Sequence, residues 1–225
     1  MTRTTNARIA GFTFLVYIAA TLSSMAIYNR ATGDGSTAAK LAAISVHVPD
    51  MRVVVVLALI AAFAALVLAV TLYAVTRDQD RDLAMLAMVC RVTEGVIGGL
   101  SASTSLALLW VATASGPDAP DAGAARALGG YFLRDDGAVG AMFFAVGSVL
   151  FAYLLWRGRL VPTVLACLGV AASMLLVVGL PAQLLNLISP SVASLMWLPA
   201  LAYEIPLGLW LLIKGVRPSV VAVSR

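Results

Sequence analysis

Residues 53–76, VVVVLALIAAFAALVLAVTLYAVT, run for 24 positions without one charged side chain, and Arg52 and Arg77 stand directly at the two ends. A helix rises 1.5 Å per residue, so about 20 apolar residues cross the roughly 30 Å hydrocarbon layer of a bilayer. The stretch meets that length and reads as a membrane-spanning helix. Apolar runs of similar length, bounded by charge or turn formers, recur at 9–28, 83–113, 138–156, 160–185 and 194–214. The 83–113 run is long enough to tilt or to protrude beyond the lipid. The expected fold is therefore all-α: one polytopic transmembrane helix bundle of about six spans, a single domain over 1–225, with two larger loops at 29–52 and 114–137.

The whole composition agrees. Of 225 residues 61% are apolar and only 12% charged, where a soluble domain carries roughly 25% charged residues to cover its core. The net charge of +4 raises a nucleic-acid partner as a reading, but no basic stretch is interleaved with aromatics as a stacking groove requires, and that class is set aside. Cys90 and Cys167 both fall inside apolar runs and read as small packing residues, not as a disulfide framework. The first run follows Arg3 and Arg8 and ends near Ser24-Met25-Ala26, as a signal peptide could. Its apolar stretch exceeds the usual 7–15 residues of such a leader, and five more runs follow, so it reads as a span.

Lys and Arg set the expected orientation, because short positive loops stay on the cytoplasmic side. One set of alternate segments holds nine: Arg3, Arg8, Arg77, Arg81, Arg157, Arg159, Lys214, Arg217 and Arg225. The other holds five: Arg30, Lys40, Arg52, Arg126 and Arg134. Both termini are therefore expected in the cytoplasm, and the chain is expected in the cell inner (cytoplasmic) membrane. Within the first outer loop Leu41, Ile44 and Val48 share a helical face, which predicts a short helix lying on the membrane surface. Gly116-Pro117-Asp118-Ala119-Pro120-Asp121 marks a turn in the second, and Asp135 and Asp136 read as caps at the start of the fourth span.

Charge inside a span costs about 2.5–3.5 kcal/mol at mid-helix even on the lenient insertion scale. Three side chains bear that cost: Arg91, Glu94 and Glu204. Counted from Asp82, Arg91 lies about 13 Å and Glu94 about 18 Å into the layer; counted from Lys214, Glu204 lies about 15 Å in. All three reach one level. Arg91 and Glu94, three apart, share a face and can pair. If Arg91 also forks to Glu204, the trio keeps one net negative charge that a proton or a cation would neutralise. The third and sixth spans are then expected to pack together, with Gly95, Gly99 and Ser103 as a close-approach stripe. Pro199 and Pro206 bracket Glu204, and Pro181, Gln183 and Asn186 repeat the pattern in the fifth span. Gln183 and Asn186 are thus candidate linings of a polar pocket opening outward between the third, fifth and sixth spans.

Other chemistry finds little support. The one histidine, His47, lies in the first outer loop, so neither a membrane-embedded metal or haem site nor serine–histidine hydrolysis is expected, and no phosphate-binding or dinucleotide fingerprint is present. No cofactor is expected. Trp110, Trp156, Trp197 and Trp210 lie toward span ends, as interfacial anchors do. There is no convincing internal repeat of the kind that builds inverted-repeat transporters.

Several segments resemble a bacterial membrane family, domain-of-unknown-function family 4386. Ala7-Arg8-Ile9-Ala10-Gly11-Phe12 is similar to its entry into the first span, and Leu198-Pro199-Ala200-Leu201-Ala202-Tyr203-Glu204 with Leu209-Trp210-Leu211-Leu212-Ile213-Lys214-Gly215-Val216 to its close. Arg91 with Glu94 resembles its third span, and Tyr153-Leu154-Leu155-Trp156-Arg157 leading to Pro162 its fourth-to-fifth turn. The chain departs from the pattern at Leu165-Ala166 with Gly169, and at Asp135-Asp136-Gly137. The resemblance implies six spans and no particular activity. The leading functional expectation is a non-catalytic membrane scaffold or subunit whose Arg/Glu trio holds the bundle together, with membrane lipid and another membrane protein or a second copy as partners. The alternative is a protein that binds or transports a small ligand, cation or proton through Glu94, Glu204 and Arg91. An intramembrane enzyme ranks last, since only an acid is visible.

Overall fold

A computed structural model describes residues 1–134 and 137–217. Asp135, Asp136 and Arg225, which entered the sequence reading, lie outside the described residues. Among these there are helices and no strand: α1 (Arg3–Thr32), α2 (Thr37–Val46), α3 (Val48–Thr76), α4 (Arg81–Thr113), α5 (Ala122–Phe132), α6 (Ala138–Arg157), α7 (Thr163–Leu184), α8 (Pro190–Leu195) and α9 (Trp197–Ile213). Six helices are long and apolar enough to cross a membrane: α1, α3, α4, α6, α7 and the α8–α9 unit. Their outward faces carry large apolar side chains such as Phe12 and Phe63, the latter 67% exposed, a surface that lipid covers and water does not. Both cysteines are free: Cys167 is exposed on that outward face, while Cys90 is buried.

Neighbours in sequence are neighbours in space. α1 packs on α3, α3 on α4, α4 on α6, α6 on α7 and α7 on α9, and α9 closes the ring against α1. The expected packing of the third span on the sixth is not found: α4 and α9 face each other across the ring without touching backbones. Long side chains explain the difference, because Arg91 and Glu204 interact electrostatically over the centre of the ring from helices that are not adjacent. Small residues set the closest approaches. Gly95 lets α4 against Ala62 and Ala65 of α3, whereas Ser103, the last of the expected stripe, is exposed. Gly11 of α1 lies directly against the backbone of α9 at Gly208 and Leu212.

Polar contacts close the two ends. At one end Arg3 donates from Nε and Nη2 to the Val75 carbonyl, 2.9 and 2.7 Å away, covering a free carbonyl in the last turn of α3. Asp80 caps α4 through the Leu83 N–H at 3.1 Å and pairs with Arg157 at 3.1 Å. The Arg217 N–H donates to the Leu160 carbonyl, tying the segment after α9 to the α6–α7 turn. The start of α1 and the end of α9 therefore lie at the same end of the bundle.

At the opposite end α2 forms as expected, but its apolar face is turned into protein. Leu41 and Ile44 are buried with Met51 of α3 and Leu108 of α4. The 114–137 segment, read from sequence as loop, contains α5, which packs on α2 and α4. Asp121 starts it, accepting from the Gly123 and Ala124 N–H groups at 2.8 Å each. Losing such a cap costs about 1 kcal/mol, so Asp121→Ala is expected to speed amide exchange in the first turn of α5 and leave the spans unchanged, as hydrogen–deuterium exchange would show.

Candidate functional site

The centre of the ring is where the costly charges meet. α4 supplies Arg91 and Glu94, α9 supplies Tyr203 and Glu204, α1 supplies Tyr17, and α6 supplies Phe144, Gly147 and Ser148. Gly147 gives α6 a close approach there: a Cβ at that position would stand 3.1 Å from Arg91 Cγ and 3.2 Å from Cys90 Cβ, so these neighbours would have to give by a few tenths of an ångström. Gly169 of α7 plays the same part for Tyr203, whose ring occupies the space a side chain would need.

Arg91, Glu94 and Glu204 are 1%, 7% and 4% exposed. Arg91 Nη1 is 2.8 Å from Glu94 Oε2. The two form a buried ion pair three residues apart on α4. Glu94 receives its hydrogen bond from Tyr17, whose hydroxyl donates to Oε1 at 2.6 Å. Aromatic rings flank the guanidinium, with Cζ 5.3 Å from the Tyr17 ring centre and 4.9 Å from that of Phe144, within cation–π range. Glu204 interacts electrostatically with both Arg91 and Glu94 but makes no direct ion pair, so Arg91 does not fork to the two carboxylates. Glu204 Oε1 is buried without a hydrogen-bond partner in the protein.

The other two candidates stand apart from this cluster. Gln183 is half-buried near the end of α7, and Asn186 is exposed. Asn186 has φ 56°, and the Leu187 N–H returns to the Ala182 carbonyl at 2.8 Å. It is the left-handed residue that terminates the helix, a position asparagine tolerates, and its polarity is explained by that turn. Pro199 falls in the first turn of α9, where its missing N–H costs no helical hydrogen bond. Sequence reasoning missed Tyr17, although a signal was present: counted from Arg8 it lies about 13 Å deep, level with the trio.

Tyr17→Phe is expected to cost about 1.5–3 kcal/mol, the range for a hydrogen bond to a charged group, because it deprives a buried carboxylate of its donor. Equilibrium unfolding in mixed micelles would measure it.

A cavity beside the cluster is lined by Phe14, Leu72, Arg91, Ser148, Phe151, Leu155, Tyr203 and Leu207, with about 10 Å³ open to the centre of a water-sized sphere. Among the described residues no three His, Cys, Asp or Glu side chains are grouped to hold a metal. No curated protein and no solved structure matches the chain. The family model for the domain of unknown function DUF4386 matches residues 9–215, which takes in all six spans and the central trio, and the chain belongs to that family.

Proposed function

We propose that the protein is a non-catalytic scaffold or subunit of the cell inner membrane, in which Arg91, Glu94 and Glu204 form an ion network that fixes the bundle. The observation that carries this reading is closure. All three groups are almost fully buried, and the cavity at their side admits nothing larger than about one water molecule. Buried ion pairs contribute little net stability but discriminate strongly against arrangements that leave a charge unpaired.

The orientation with both termini in the cytoplasm belongs to the same proposal. The end of the bundle that carries both described termini also carries Arg3, Arg8, Arg77, Arg81, Arg157, Arg159, Lys214 and Arg217, the side on which short positive segments are retained. Membrane lipid surrounds the ring, and a second membrane protein or a second copy would meet its outer faces. One observation favours the alternative of a cation- or proton-binding site: Glu204 Oε1 has no protein partner.

Thermal unfolding of the detergent-purified protein separates the two. Wild type and Glu204→Gln are compared from mildly acid to mildly alkaline pH, with a panel of cations and lipophilic ligands. A scaffold gives no ligand-dependent shift in wild type, and Glu204→Gln changes the midpoint by the same amount with and without the panel. A cation or ligand that stabilises wild type and not a folded Glu204→Gln contradicts the scaffold reading.

A further inference from the structure

We propose that one water molecule is bound at the centre of the ring, accepting a hydrogen bond from the Arg91 guanidinium and bonding to the Ser148 hydroxyl, as a fixed member of the ion network. The first ground is hydrogen-bond accounting. Nε and Nη2 of Arg91 are buried with no hydrogen-bond acceptor in the protein, while Nη1 faces Glu94 Oε2 at 2.8 Å. Buried N–H groups in folded proteins are nearly always paired with protein or with ordered water, and a guanidinium has no acceptor capacity of its own.

The second ground is space. Arg91 lines a cavity whose free volume, about 10 Å³ to a sphere's centre, matches a single water. Ser148, which is 8% exposed, also lines it, so a water there would have the Arg91 guanidinium and the Ser148 hydroxyl as its two partners in an otherwise largely apolar wall. Phe14, Phe151 and Leu207 complete the wall and leave no polar group for a second molecule.

Charge selects water over an ion. A cation would lie against the guanidinium with no carboxylate on the cavity wall, since neither Glu94 nor Glu204 lines it. An anion would find the positive charge of Arg91 already matched by Glu94 at 2.8 Å and opposed by Glu204. A neutral molecule that both donates and accepts fits this surrounding. Gly147 leaves room for the arrangement, because a Cβ there would press on the stem of Arg91 at 3.1 Å.

The site rests on the cluster being closed, as in the scaffold reading. Its test is a density map of the full-length protein at a resolution that shows ordered water, from crystals grown with and without bromide. The expected result is one spherical peak within hydrogen-bond distance of an Arg91 nitrogen and of Ser148 Oγ, with no anomalous signal from bromide. In Ser148→Ala, which keeps the space and removes the hydroxyl, the peak is expected to weaken or to move toward Arg91. A map with no peak, a peak that bromide marks, or a peak unchanged in Ser148→Ala overturns the proposal and leaves the scaffold reading in place. Density for a larger molecule overturns both.

Discussion

Arg91→Met is expected to lower the unfolding free energy by about 3–5 kcal/mol, the cost of breaking a buried ion pair by removing one partner. Methionine keeps the apolar volume of the side-chain stem and can lie between the Tyr17 and Phe144 rings, so packing loss is small. The penalty comes from what remains: Glu94 and Glu204, two buried carboxylates facing one centre with no positive charge between them. Arg91→Lys is expected to recover only part of the loss, since an ammonium cannot stack between two rings as a planar guanidinium does. Steric trapping or denaturant unfolding in mixed micelles reads both values.

Gly11→Ala is the second large effect. A Cβ at Gly11 would stand 2.6 Å from the Gly208 carbonyl oxygen and 2.9 Å from the Leu211 carbonyl carbon, with the Leu212 nitrogen nearer still. These are backbone atoms, and no side chain can swing away to relieve the contact. α1 and α9 must separate along the seam that closes the ring, so the cost is expected at or above the upper end of the usual 1–3 kcal/mol for overpacking. Gly98→Ala supplies the control on the same measurement. Nothing lies within 4 Å of a Cβ at Gly98, so this change in the middle of α4 is expected to stabilise by about 0.5–1 kcal/mol through helix propensity.

These two sites differ in how far the sequence discloses them. Arg91, Glu94 and Glu204 are legible because a charge in an apolar run has no cheap explanation, and rise per residue alone brings them to one level. The six spans are legible for the complementary reason, as in the uncharged run from Val53 to Thr76. The order of the ring is not, because helices as apolar as α3 and α7 are hydrophobic all round and show no stripe that would name a partner. That is why the sequence points to α4 packing on α9, while the structure lets their charges interact across the ring without their backbones touching.

Gly11 is quoted in the family resemblance, but nothing in its neighbourhood says which backbone it meets. The helix α5 was obscured by Gly116-Pro117 and Pro120, whose turn signal dominates the segment, although Asp121 followed by an alanine-rich run is an N-cap signature. Asn186 misleads in the other direction: a polar residue at a helix end is drawn there by backbone geometry as readily as by a ligand.

The most direct test of the trio as a structural lock is the stability of the neutral triple variant Arg91→Met/Glu94→Gln/Glu204→Gln beside that of Arg91→Met. Replacing every member of a buried ion network removes the unpaired charge along with the attraction, so the triple variant is expected to regain most of what Arg91→Met loses. A triple variant that is no more stable than Arg91→Met would contradict the lock, because the loss would then not come from carboxylates left without their partner.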